Sequence, residues 1–179
     1  SDTLKNVIKN FTNVVDNEFT FDKNKDLVWQ FSKMVDNNLE IYYTKCSREG
    51  KMETFKTIAT HSKVNSKIKP RSNDIGHNNF ATIYLDQPST VIGDNCKALS
   101  FKADIVDKST GALKQQLRFT YPEEYIKKDI IALSEGSIEL RDFGVTMLSA
   151  TQVIAVFAIE STVSPCIRNT HFIFKIVDI

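Results

Sequence analysis

At 179 residues, 41% apolar and 25% charged, the chain has the composition of a globular domain long enough to bury a sizeable core. Its formal net charge of +1 excludes a global field for nucleic acid or an anionic membrane. Residues 1–90 carry 13 basic against 11 acidic side chains and residues 91–179 carry 10 against 11, so any basic site must be local.

The first stretch is amphipathic. Leu4, Val7, Ile8, Phe11, Val14 and Val15 recur at helical spacing, with Lys5, Asn6, Lys9 and Asn10 opposite, and Asp2 or Thr3 can cap the start. This predicts an N-terminal helix that lies across a sheet or docks a partner through Leu4, Val7, Ile8 and Phe11. After the polar hinge Asp22–Asp26, Leu27–Val35 fits a short helix capped by Asp26, although Leu27, Trp29 and Phe31 also form one face of a strand. The helix is the expectation taken here, giving a helical segment over residues 1–36.

From residue 37 onwards the pattern is that of strands. Leu39–Thr44 and Met52–Thr60 alternate on either side of Gly50, which predicts a β-hairpin. Residues 61–79 lose all periodicity and read as a polar loop around Pro70 and Gly76. Phe80–Asp86 restores a strand. Residues 96–107 and 112–121 form a second hairpin, with Leu99, Phe101, Ala103 and Ile105 facing Leu113, Leu117, Phe119 and Tyr121. Pro122 starts a short helix to about Ser134, with Glu123 and Glu124 at its positive end and Ile126, Ile130 and Leu133 as its stripe. Strands follow at Ser137–Phe143, Val145–Leu148 and Ile167–Asp178. Between them runs TQVIAVFAIE, Thr151–Glu160, whose unbroken apolar run Val153–Ile159 predicts a central strand covered on both faces.

The fold class that follows is β-rich α+β: a mostly antiparallel sheet or β-sandwich with an N-terminal amphipathic helix and a short helix near 122–134. Residues 1–179 form a single domain, in which segment 1–36 packs on a β-rich core of 37–179.

No catalytic motif accompanies this pattern. His61, His77 and His171 and the three cysteines, Cys46, Cys96 and Cys166, show no metal-ligand spacing, so no metal or other cofactor is expected. The six glycines form no phosphate loop, and no serine or cysteine sits in a nucleophile context. Three widely spaced cysteines and no visible apolar leader point to a reduced, intracellular protein. No stretch is long and apolar enough for a transmembrane helix.

One run departs from the background. Between Glu53 and Asp74 there is no acid, while Lys56, Lys63, Lys67, Lys69 and Arg71 supply cations that could meet phosphates of single-stranded RNA or of an anionic lipid surface.

Residues 81–179 resemble the core of viral thirty-kilodalton-type movement proteins. The resemblance rests on KADIVDK with Asp107 closing a hydrophobic strand, then LRFTYPEEYIKKD, IELRDFGVTM and TQVIAVFAIE. It implies a fold similar to jelly-roll viral structural proteins, sequence-independent binding of single-stranded nucleic acid, and Asp107 as the family-signature aspartate. A host-cytoplasmic location goes with it. The function expected is therefore that of a non-enzymatic interaction or assembly protein of viral type (movement, matrix or capsid-like). It would contact a polyanion through the basic loop and associate with itself or a protein partner. The alternative is a β-sandwich or barrel carrier for a small apolar ligand.

Overall fold

The computed structural model describes residues 12–64, 69–86, 91–92, 96–97, 99–121, 138–164 and 167–179. The described residues form strands and no helix. In chain order these are β1 (Val14–Phe21), β2 (Leu27–Val35), β3 (Asn38–Cys46), β4 (Lys56–His61), β5 (Arg71–Gly76) and β6 (Asn79–Leu85). There follow β7 (Val91–Ile92), β8 (Cys96–Lys97), β9 (Leu99–Asp107), β10 (Leu113–Tyr121), β11 (Ile138–Ser149), β12 (Gln152–Ser164) and β13 (Ile167–Asp178).

The strands build a first sheet ordered β1-β2-β3-β4, a second ordered β10-β9-β6-β5 and a third ordered β11-β12-β13, with β7-β8 as a small ribbon. Every pairing is antiparallel. The second sheet lies between the other two. Along β6, Ala81, Ile83 and Leu85 join Phe101, Ala103 and Ile105 of β9 and meet Phe143, Val145, Val153, Ala155 and Phe157 of the third sheet. The alternate side chains turn the other way: Phe80 packs with Val28 and Tyr43 of the first sheet, and Tyr84 with Leu39 and Ile41. β6 is buried at every position, as a strand covered on both faces must be.

The interface of the first and second sheets also carries polar groups. The Gln30 amide donates to Thr82 Oγ1, which in turn shares a hydrogen bond of 3.1 Å with Ser72 Oγ. The Ser72 amide donates to Asp16, and Tyr43 donates its hydroxyl to the Lys108 carbonyl at 2.7 Å. Burial pushes the Tyr43 phenol up to about 12, so it stays a donor throughout the neutral range.

The α+β expectation is corrected by this architecture: the described part is all-β. Leu27–Val35 is a strand, because Val28, Gln30 and Ser32 turn inward while Trp29, Phe31 and Lys33 form the other face. Leu27, Phe31, Met34 and Val35, which fall at helical spacing, belong to both faces of this strand. Val14 and Val15 are likewise in a strand, and Asn13 at φ 60° sets off β1 from what precedes it. The rest of the predicted N-terminal helix, with Leu4, Val7, Ile8 and Phe11, lies outside the described residues, as does the helix predicted for 122–134. The long loop at 61–79 contains a strand. β5 and β6 join through His77 and Asn78, both left-handed at φ 48° and 61°, the backbone a tight hairpin turn requires. Asp36 and Asn37, at 50° and 64°, serve the β2–β3 hairpin in the same way. The two strands expected at 137–143 and 145–148 are one, β11, with Gly144 inside it.

Glycine positions give a direct test. Gly50 and Gly111 are both left-handed, at φ 79° and 70°, but a Cβ on Gly111 would meet Tyr43 Cδ1 at 2.7 Å while one on Gly50 meets open space. Gly50→Ala should lose about 1 kcal/mol in urea denaturation, the backbone penalty alone. Gly111→Ala should lose more, because the Tyr43 ring must also move.

Candidate interaction surface

The third sheet has two unlike faces. Val153, Ala155 and Phe157 of β12 are buried against the second sheet, with Ile173 and Val177 of β13 packed beside them. Cross-strand pairing then sets the outward face: Thr146, Ile154 and Ile176 form one row, Gly144, Val156 and Phe174 the next, and Asp142, Ala158 and Phe172 a third. Phe172, Phe174 and Ile176 are 64%, 62% and 55% exposed, and Leu148 adds to the same side. Among the described residues, the run predicted to be covered on both faces is covered by the second sheet on the side of Val153, Ala155 and Phe157. Ile154, Val156 and Ala158, on the outward side, are half-buried.

A groove crosses this face between Arg71, Asp142, Gly144, Val156, Ala158 and Phe172. Gly144 leaves its floor open, since a Cβ there would meet nothing within 4 Å. A glycine inside a strand marks a place where another group can approach the backbone closely. At the rim, Arg71 of β5 pairs with Asp142 at 2.6 Å and lies 5.8 Å from the centre of the Phe143 ring, so the groove edge is charged but balanced.

A second apolar surface lies on the first sheet. Phe19 stacks on Trp29 at 5.2 Å and Phe31 on Tyr42 at 4.9 Å, with Phe55 edge-on to Trp29. Most of this cluster is packed on itself, and Phe31 is fully buried.

The titratable cluster that draws attention is His61 with Asp104. The His61 Nε2 pairs with Asp104 Oδ2, Gln116 donates to Asp104 Oδ1 at 2.8 Å and also reaches the Tyr84 hydroxyl at 3.1 Å, and the His61 ring stacks on Tyr84. Burial, and then the nearby Asp104 charge, push the Tyr84 phenol upward. Asp104 is fully buried, and both its oxygens are taken by these contacts. The cluster ties β4 of the first sheet to β6, β9 and β10 of the second, which gives it a structural task. His77 and His171 lie on other elements, and among the described residues no group of three or more His, Cys, Asp or Glu could hold a metal ion. Sequence spacing could not reveal His61–Asp104, because strands 43 residues apart bring them together.

Lys56 and Arg71, the first and last of the basic residues, do not converge. Lys56 begins β4, is exposed and lies 3.9 Å from Glu53; Arg71 begins β5 and pairs with Asp142. β4 is one edge of the first sheet, whereas β5 packs beside β1, the opposite edge. Lys63 and Lys69 lie in the connection between them, and Lys67 falls outside the described residues. A run without acids in sequence is therefore spread around the sandwich. Asp107 closes β9 as expected, and its oxygens are occupied locally: Oδ1 accepts the amides of Ser109 and Thr110 at 2.9 and 3.0 Å, and Oδ2 pairs with Lys114 at 3.1 Å. Its geometry is that of a turn cap. No helix among the described residues is long and apolar enough to cross a membrane. No protein-family model matches the chain, and neither curated proteins nor solved structures give a match.

Two predictions arise from these contacts. His61→Ala leaves the buried Asp104 side chain without its His61 hydrogen-bond partner and should cost about 1–3 kcal/mol in urea denaturation, while His61→Gln, which keeps an amide donor, should cost less. The second concerns acid. Burial would raise Asp22, Asp74 and Asp107, but hydrogen bonds from Lys45, Lys108 and Lys114 and from backbone amides outweigh it and hold all three below the ordinary 3.8. The unfolded chain then takes up protons first as pH falls. The stabilisation from these groups is full above the ordinary carboxylate range and lost as pH drops through the folded values. Stability should be level near neutrality and fall below about pH 4, and Asp107→Asn should make that fall shallower.

Proposed function

We propose that this chain is a non-enzymatic assembly protein that joins protein partners through the open apolar face of its third sheet. The observation that carries the reading is the exposure of Phe172, Phe174 and Ile176 on a sheet whose other face already completes a core. The strand beneath them, β12, has the composition of one buried on both sides, and a covering partner would supply the missing side. Isolated exposed apolar residues need no explanation; a contiguous patch spanning two strands does.

Electrostatics agree with this reading. A net charge of +1 leaves little repulsion between copies or toward an uncharged partner. Phosphate contact is not part of it, because Lys56 and Arg71 lie on opposite edges of the sandwich and each faces a carboxylate. His61 and Asp104 are committed to holding strands together, so the reading assigns them no chemistry on a substrate.

Light-scattering chromatography at low and high salt tests it. The expected result is a mass above that of one chain which persists in high salt, since apolar contacts are not screened. A Phe172/Phe174/Ile176→Thr variant should keep its fold, threonine being a good strand former, and should elute as a single chain. A wild-type chain that stays monomeric at every concentration would sink the assembly reading.

A further inference from the structure

β13 is an edge. In the third sheet it pairs only with β12, and among the described residues its other side has no strand partner. The opposite edge, β11, is closed in by β5, where Thr146 donates to the Ile75 carbonyl at 3.4 Å. β13 is also long, running from Ile167 to Asp178 without a proline, and its pairing with β12 is regular from Arg168 to Asp178. It is not a frayed end: Ile173, Val177 and Ile179 pack on the core shared with the second sheet, and the Ile179 amide donates to the Thr151 carbonyl at 2.9 Å. A long edge anchored to the core in this way is a template for another strand.

The sequence of that edge matches itself. We infer that two copies of this chain pair antiparallel through β13 about a two-fold axis at Ile173, joining their third sheets into one. This rests on the assembly reading and adds to it a second copy as partner, joined at the sheet edge beside the apolar face rather than over it. An axis perpendicular to the sheet keeps each face on its own side, so outward residues meet outward residues. With Ile173 opposite Ile173, Phe172 stands opposite Phe174 of the second copy, Thr170 opposite Ile176, and Arg168 opposite Asp178, and each of these pairs occurs twice. Gln152 donates to Asp178 Oδ1 at 3.0 Å and so holds that carboxylate at the end of the strand.

Neighbouring alignments lose this complementarity. An axis at Phe174 faces Asp178 with Thr170 and leaves Arg168 beyond the end of the partner strand. An axis at Lys175 sets two ammonium groups against each other, and like charges directly opposite are unfavourable. An axis at Phe172 faces Arg168 with Ile176. The Ile173 alignment has one poor pair, His171 with Lys175, on the inward face. It also places the Phe172, Phe174 and Ile176 rows of the two copies side by side, so that one continuous apolar face spans the joined sheet.

Charge reversal tests the pairing on the full chain. Arg168→Asp and Asp178→Arg each create two like-charge contacts in a homodimer, and each variant alone should run as a single chain in light scattering. The double variant Arg168→Asp/Asp178→Arg should recover the wild-type dimer. An equimolar mixture of the two single variants should form a one-to-one heterodimer, since both contacts then become complementary. Amide exchange on the wild type gives a reading that needs no variant: β13 protection should rise with concentration while that of β11 stays constant. If the wild type associates but both single variants associate equally well, this pairing is overturned and the assembly reading survives. If the wild type is monomeric at every concentration, both fall.

Discussion

The structure depends on a middle sheet whose inner strand β6 has no solvent side. In β6, consecutive residues alternate between two interiors: Phe80, Thr82 and Tyr84 face the first sheet, and Ala81, Ile83 and Leu85 face the third. A slip of one residue would exchange the two sets and place Thr82 in an entirely apolar core. Polar contacts on one side make that exchange unfavourable. Gln30 meets Thr82, Asp16 meets the Ser72 amide, and Asp104 is closed in by His61 and Gln116. These contacts stabilise less by their strength than by what their absence would leave buried and unsatisfied. Register is therefore fixed from the polar interior, and volume is filled in the apolar one.

That division explains what could be read in the sequence. The Leu99–Tyr121 hairpin was legible because both strands alternate cleanly and Asp107 and Gly111 mark the turn between them. The Leu39–Thr60 hairpin was legible around Gly50 for the same reason. β2 was not, because both of its faces are occupied: Val28, Gln30 and Ser32 go inward while Trp29 and Phe31 join an aromatic cluster outside. Two occupied faces erase the period of two on which a strand is recognised. β5 was missed because its residues, RSNDIG, are nearly all polar and take their meaning from partners: Ser72 from Thr82, Asp74 from Lys108, Arg71 from Asp142. The turn signal was nonetheless present in His77 and Asn78, both residue types that tolerate a left-handed backbone.

The interaction surface was half legible. The alternation Phe172, Phe174, Ile176 against Ile173, Val177 separates the faces of β13, but both sets are apolar and nothing local says which one turns inward. Only the packing of Ile173 and Val177 against the second sheet decides it. The reverse holds for the basic run. Lys56 and Arg71 are near in sequence because two hairpins adjoin there, and those hairpins diverge to opposite edges. Nearness along a chain predicts nearness in space within a hairpin and fails between hairpins.

The order of the strands bears on how the chain reaches this state. β1 to β4, β5 with β6, β9 with β10 and β11 to β13 all pair with neighbours in sequence, so each can close over a short turn. Among the described strands β6 with β9 is the exception, for β7 and β8 lie between them in the chain. Loop-closure entropy concentrates in that one pairing, which is also the pairing that creates the two-sided sheet. The first and third sheets can form as meanders on their own, and the β5–β6 hairpin already meets both, but the apolar interior is incomplete until β9 docks on β6. That non-local step completes the shared core, and its speed bears on how long unburied strand faces are exposed to other chains.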